Sequence, residues 1–243
     1  MSTTDIAARV QEQDWYHTID LGNGVVTDGW FDLRPHVPKY CLPERMDGMR
    51  ALDIGTWDGF WAFEVERRGA EVVALDVEHE SEYDWPPRRR PKEWTVTERG
   101  KGFRLAKEIL GSNVERVECN IYNALPEDLG TFDLVFCGAV LLHLRDQLLA
   151  LERIADLCSG TFISAEEYDR LTSLLPFPAT RFRADRDSDV VFWQPSVATW
   201  KRMLWTAGFE DVVEKGRFKV TIDSVTGATR TIPHVVLHAR GTA

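Results

Sequence analysis

The stretch RALDIGTWDGFWAFEVERRGAEVVALD, residues 50–76, decides the fold. Residues 51–54 are an apolar run of strand length. The bend Asp53-Ile54-Gly55-Thr56-Trp57-Asp58-Gly59 follows. Residues 58–68 then place Phe60, Phe63 and Val65 at apolar positions of a helix that Gly69 closes. Residues 71–75 are a second apolar run, and Asp76 ends it. Strand, bend, helix and strand in that order make the repeating unit of a parallel sheet.

Working outward, the same alternation continues. Residues 77–99 are polar, and Pro86, Pro87 and Pro91 forbid a regular element there. Residues 101–110 read as a helix ending at Gly111, 114–119 as a strand and 132–137 as a buried strand between Gly130 and Gly138. Residues 146–157 are helical, 161–164 form a further strand, and Ser196 caps a helix that runs through Ala207 to Gly208. Residues 212–213, 218–222 and 234–239 are the last strands. Upstream, residues 4–13 predict a short helix, and 14–44 are irregular and rich in aromatics, Gly and Pro. The composition changes near Met46, which divides the chain into a segment 1–45 and a domain 46–243. The class is α/β with a mostly parallel sheet covered on both faces, so a ligand is expected beyond the carboxyl ends of the strands, at the bend after the first one.

Composition narrows the partners. The 243 residues carry a formal net charge of −10, which repels nucleic acid and anionic membranes in the absence of a local basic patch. Cys41, Cys119, Cys137 and Cys158 form no CxxC pair and have no His at zinc spacing, so they read as small hydrophobes in a reducing compartment. No apolar run approaches the ~18 residues of a membrane span, and the N-terminus lacks the form of a secretory signal. A cytoplasmic protein without a membrane partner or a metal ligand cluster is expected; whether it forms a homodimer is open.

The bend has a chemistry of its own. Its glycines are spaced GxxxG, not the GxGxxG of pyrophosphate binders, and Asp53 and Asp58 would repel a pyrophosphate. Both carboxylates suit a cationic group. Asp76, 21 residues after Gly55, sits where an acid accepts two hydrogen bonds from a ribose diol. A nucleoside with a positively charged tail satisfies both. The competing reading is an ordinary strand-to-helix bend with Asp58 as helix cap.

Asp53-x-Gly55-x-x-x-Gly59 resembles the first motif of class I S-adenosylmethionine-dependent methyltransferases, Asp76 matches their ribose-binding acid, and TFDLVFCGAVLLHLRD (residues 131–146) resembles their fourth-strand motif. The resemblance implies a Rossmann-like, mostly parallel seven-stranded sheet with helices on both faces and an N-terminal lid. It implies S-adenosylmethionine as cofactor, held by Asp53, Gly55, Thr56, Gly59, Cys137 and Gly138 around the methionine end, Asp76 at the ribose, and Val77, Asn120 and Ile121 at the adenine. Asn120 reads equally well as a turn residue. A narrower likeness, in GNGVVTDGWFDLRPHV (22–37), GAVLLHLRD (138–146) and VVFWQPSVATWKRMLWTAGFEDV (190–212), is to the tRNA wobble-uridine carboxymethyltransferase branch. That branch has Tyr-His where this chain has Leu142-His143, and a lysine where it has Gly29. Both missing side chains help hold the extra carboxylate of carboxy-S-adenosylmethionine, so the ordinary donor is expected here.

Methyl transfer is an in-line displacement that the protein accelerates mainly by positioning. His143, just past the fourth strand, is the first candidate base; Glu166 is the second and Glu167, beside it, a substrate contact. His143 equally suits packing of the following helix. Tyr16, His17, Trp30, Trp57 and Trp193 are candidate substrate contacts that could stack on a flat or sugar-like acceptor, with core packing as the alternative. Residues 84–104 hold seven basic residues, Arg88, Arg89, Arg90, Lys92, Arg99, Lys101 and Arg104, against three acidic ones; a solvated loop or an anion-binding patch explains them. A small-molecule acceptor, a sugar or secondary metabolite methylated on oxygen or nitrogen, is the leading expectation. An RNA-modifying enzyme and a non-catalytic nucleotide-binding module are the rivals.

Overall fold

The computed structural model describes residues 3–94, 99–184, 191–223 and 229–242. The N-terminal part contributes α1 (Thr3–Gln11), the short parallel strands β1 (Trp15–His17) and β2 (Gly29–Phe31), and a 3-10 turn (Arg34–Tyr40). Then come β3 (Arg50–Ile54), α2 (Phe60–Glu66), β4 (Glu71–Asp76), α3 (Gly100–Leu110), β5 (Glu115–Glu118), the single-turn α4 (Pro126–Leu129), β6 (Phe132–Gly138), α5 (Gln147–Leu157) and β7 (Cys158–Glu167). A small antiparallel pair, β8 (Thr180–Phe182) and β9 (Trp193–Pro195), precedes α6 (Val197–Thr206), β10 (Glu210–Asp223) and β11 (Thr229–Arg240).

Seven strands form the central sheet in the order β10-β11-β7-β6-β3-β4-β5. The pairs β3–β4, β3–β6, β4–β5 and β6–β7 are parallel; β11 joins β7, and β10 joins β11, antiparallel. The chain leaves β3 toward β4 on one side and returns to β6 on the other. The direction of winding therefore reverses between β3 and β6, and the bend after β3 sits at that crevice.

Strand periodicity distributes the core. Along β6, Leu134 and Phe136 face one side of the sheet and Val135 and Cys137 the other. The first face packs against α2, α3 and the N-terminal segment: Trp15, Ile19, Leu21, Tyr40 and Met46 share one buried cluster with Phe60, Trp61, Phe63 and Phe103. The second packs against α5 and α6, where Leu151, Ile154, Trp200 and Leu204 cover Leu52, Ile54 and Phe162. Asp146 caps α5 by accepting from Leu149 N (3.0 Å), and Ser196 caps α6 by accepting from Thr199 N (3.1 Å). No helix among the described residues is long and apolar enough to cross a membrane.

Several expectations change. The helix read from residue 58 begins at Phe60, with Gly59 as its N-cap at φ +94°. Asp58 does not cap it; its carboxylate faces the N-terminal segment. The runs 212–213 and 218–222 are one strand, β10, because the polar residues between them lie at an exposed sheet edge and the register shifts between Glu214 and Gly216. Strand 161–164 extends over all of β7. The irregular segment 14–44 contains β1 and β2, and the pair β8–β9 escapes sequence reading because three-residue strands carry no alternation.

Packing alone requires a glycine at position 59. A Cβ there would lie 2.4 Å from Phe63 Cε2 and 2.8 Å from Phe103 Cδ2, at a backbone angle that disfavours side chains. Gly59→Ala combines a left-handed backbone penalty with overpacking, so it should cost about 2–4 kcal/mol. Urea unfolding measures this, and a variant as stable as the parent contradicts it.

Candidate active site

The bend after β3 is held from three sides. Gly55 N and Thr56 N donate to Leu75 O (2.8 and 3.3 Å), which ties the bend to β4. Gly55 adopts φ +71°, and a Cβ on it would lie 2.3 Å from Val140 Cγ2. The glycine is thus required for contact with the turn after β6, and the space it clears is filled by Val140. Trp57 N donates to Asp76 Oδ2 (2.7 Å) and Val77 N to Asp76 Oδ1 (2.8 Å). Trp57 itself is a non-glycine residue at φ +51°, and Ala139, just past β6, is another at φ +56°. Backbone held in this sparsely populated region on both sides of the crevice is a common mark of a working site.

Asp58, buried in the same bend, gathers the N-terminal segment. Its Oδ2 accepts from Tyr16 N (2.9 Å) and His17 N (2.8 Å), and its Oδ1 meets His17 Nδ1 at 2.5 Å. The expectation that Asp58 attracts a ligand cation is corrected: the carboxylate is consumed within the protein. The His17 ring stacks on Phe60 (centroids 5.4 Å) and lies near Asp53. Tyr16 stacks on Trp57 (4.4 Å), with Trp30 edge-on at 6.1 Å. Tyr16, Trp30 and Trp57 therefore come together as an aromatic wall beside the bend.

Two carboxylates beneath the crevice lack full pairing. Asp53 is 2% exposed, and its Oδ2 has no hydrogen-bond partner. Burial pushes its carboxyl up to about 7, while the neighbouring Thr56 hydroxyl and His17 pull it down and Asp76 adds to the rise. Glu166, 1% exposed, accepts from Val140 N (3.3 Å) and Leu141 N (3.2 Å) through Oε1, and its Oε2 has no partner. Burial pushes it up to about 8, against the pull of those backbone donors. The Cys137 thiol lies between them: burial, then Glu166, then Asp53, hold it protonated. Each orphaned acceptor costs about 1–3 kcal/mol, which a bound cation would offset.

Asp76 is engaged by two backbone donors but keeps further lone pairs on both oxygens, as a ribose diol requires. Burial raises its carboxyl, and the donors at Trp57 and Val77 oppose the rise. Arg99 covers this corner. Its guanidinium lies 3.8 Å from the Trp57 ring centroid and 4.4 Å from that of Tyr83, with Glu80 Oε1 at 3.2 Å. Val77 and Ile121 are buried alongside. Asn120 accepts from Tyr122 N (3.1 Å) and donates to Glu82 O (3.2 Å), so its side chain is spent on the turn. The donor set around Asp53, Glu166 and Asp76 fits a nucleoside with a cationic tail.

The rim past β6 and β7 carries the remaining candidates. His143 ends a 3-10 turn (Leu141–His143), half-buried, with its N bonded to Val140 O (2.9 Å). Glu167 is buried and bonded to Gln194 Nε2. Trp193 donates through Nε1 to Arg145 O (3.1 Å) and lies 5.0 Å from Phe182, apart from the Tyr16–Trp57 wall. Two residues of the basic stretch pair with acids outside it, Arg104 with Glu78 and Arg99 with Glu80. Tyr83, beside the Asp76 corner, is not singled out by the sequence, and Arg99 reads there only as one member of the basic stretch. Among the described residues no group of three His, Cys, Asp or Glu could hold a metal ion.

Two curated relatives are each named tRNA U34 carboxymethyltransferase. The one from Desulforapulum autotrophicum is 26% identical over 67% of this chain and 45% of its own length. The one from Alcanivorax borkumensis is 29% identical over 75% of this chain and 50% of its own length. The chain thus spans about half the length of these relatives. Among solved structures, the N-terminal domain of EvdMO1 with SAH bound superimposes with a TM-score of 0.69 at 17% identity, covering 99% of this chain and 98% of that one, which shows a shared fold. Residues 32–214 match the family model described as a methyltransferase domain, and the chain belongs to that family, the S-adenosylmethionine-dependent methyltransferases.

Proposed function

We propose that this chain transfers a methyl group from S-adenosylmethionine to a hydroxyl or amine of a small molecule, with a sugar or secondary metabolite as the favoured acceptor. S-adenosylmethionine supplies an electrophilic methyl on a sulfonium. Asp53 and Glu166 balance the positive charge of its methionine end, Asp76 accepts from the ribose hydroxyls, and Val77 and Ile121 pack the adenine. Cys137 and Gly138 border the methionine. The observation that carries the reading is the pair of buried carboxylates with unpartnered oxygens at the crevice between β3 and β6. His143 is the base for the acceptor proton; Glu166 is left to charge balance, since its Oε1 already braces the turn at Val140 and Leu141. The segment 1–45 acts as the lid, through the wall of Tyr16 and Trp30 on Trp57.

The ordinary donor is supported over its carboxylated form by position 29. A Cβ on Gly29 would lie 2.1 Å from the carbonyl carbon of His17, so this strand pair has no room for a side chain there. Leu142 is buried and offers no hydroxyl. An extra carboxylate on the donor would lack both partners, which costs several kcal/mol in a partly buried site.

Calorimetry with S-adenosylhomocysteine tests the cofactor site. The parent should bind saturably, and Asp76→Asn should weaken binding at least tenfold by removing charge-assisted acceptance from the ribose. Absence of binding at millimolar ligand rejects the reading.

The raised carboxyls add a pH signature. Their folded values lie above the usual carboxylate range. In the free protein their contribution to stability is therefore fully present below about pH 4 and is lost as pH rises through about 7 to 8. A cationic ligand favours the ionised forms, so S-adenosylmethionine affinity should increase from pH 6 to 8.5, and Asp53→Asn should flatten that increase. A pH-independent affinity in the parent counts against the charge-balance role.

A further inference from the structure

Resting on the methyl-transfer reading, we propose that a groove beside the strand rim holds the acceptor by a phosphate or diphosphate ester. The groove has a volume of about 640 Å³, a size suited to a small ligand. Among the described residues four guanidinium side chains line it, those of Arg170, Arg181, Arg183 and Arg217, against one carboxylate, Asp169. In a chain of net charge −10 this is a local reversal of sign.

The arginines are held in place from behind. Asp169 is buried, accepts from Thr172 N (2.7 Å) and pairs with Arg181 (2.9 Å). Arg183 Nη1 donates to Gln194 Oε1 (2.9 Å), and Gln194 Nε2 donates to Glu167 at the end of β7. Arg217 is braced by Glu214 (2.6 Å) and lies over the Tyr168 ring. Arg170 is exposed at the edge. Planar guanidinium forks match phosphate oxygens two at a time.

The groove is continuous with the reacting rim. Its wall begins with Tyr168, directly past β7, and Tyr168 N bonds to Pro233 O (3.2 Å). Phe192 N donates to Leu142 O (2.9 Å) and Arg183 N to Phe192 O (2.9 Å), which sets Arg183 beside the turn that carries His143. A phosphate seated here leaves the rest of a small acceptor to extend toward His143. The cations converge on one concavity instead of forming a stripe, which suits a small ester better than an RNA backbone.

The test uses inorganic pyrophosphate and UDP as probes, uridine as the phosphate-free control, and S-adenosylhomocysteine in parallel. Pyrophosphate and UDP should bind by calorimetry at low salt and uridine should not. The double variant Arg170→Ala, Arg183→Ala should weaken both by tenfold or more, while S-adenosylhomocysteine affinity, the check that the variant is folded, stays at the parent value. No binding of either probe at millimolar concentration overturns the proposal, as does equal binding by the double variant. Tight, steeply salt-dependent binding of bulk tRNA that the double variant loses, without UDP binding, overturns it in favour of RNA. Loss of S-adenosylhomocysteine binding in the parent would instead remove the methyl-transfer reading and leave the phosphate affinity of the groove measurable.

Discussion

The hydrogen bond from Trp57 N to Asp76 (2.7 Å) joins the bend after β3 to the end of β4. It holds a tryptophan in the left-handed region, which costs a non-glycine residue about 1–2 kcal/mol. A hydrogen bond to a charged acceptor contributes about 1.5–3 kcal/mol, enough to offset that strain. Once Trp57 is fixed, its ring has Tyr16 as one neighbour and the Arg99 guanidinium as another. The wall contributed by the N-terminal segment and the cation contributed by the start of α3 are therefore both referenced to one side chain at the end of β4.

The two faces of the sheet do different work. The face under α5 and α6 is packed from helices with side-chain caps and fully buried Trp200 and Leu204, and Glu166 lies at its rim, paired across the sheet with Val235 and accepting from Val140 N and Leu141 N. The other face takes the N-terminal segment into its core and places Asp53 near His17. Each face brings one incompletely paired carboxylate to the crevice, Glu166 from the α5–α6 side and Asp53 from the side of the N-terminal segment. Stability and charge are in this way partly separated: buried carboxyls that destabilise the free protein sit at the strand ends rather than mid-sheet.

Much of this was legible in order. The β3–α2–β4 unit shows itself through two apolar runs, a helical period and glycines at the bend, and Asp76 follows from its distance to Gly55. The role of Asp58 was not legible, because its partners lie 41 and 42 residues away and nothing local separates a latch from a helix cap. β10 read as two pieces because an edge strand exposes polar residues and bulges. Arg99 read as part of a solvated basic run because its partners Trp57 and Tyr83 and its acid Glu80 lie outside that run. Arg170, Arg181, Arg183 and Arg217 are single residues in unremarkable contexts, and only the antiparallel return of the last strands brings them to one groove.

The latch at Asp58 also constrains how the molecule is made. Tyr16 and His17 leave the ribosome 41 or more residues ahead of the carboxylate that receives their amides, which at ordinary synthesis rates is roughly 2–8 s. During that interval the indole of Trp15 and the side chains of Ile19 and Leu21 have no core to enter, since Phe60, Phe63 and Phe103 are still to come. A segment made before its partners is thus buried only after residues as late as Phe103 follow, and its apolar surface is a natural client for chaperones that meet polypeptides at the exit tunnel.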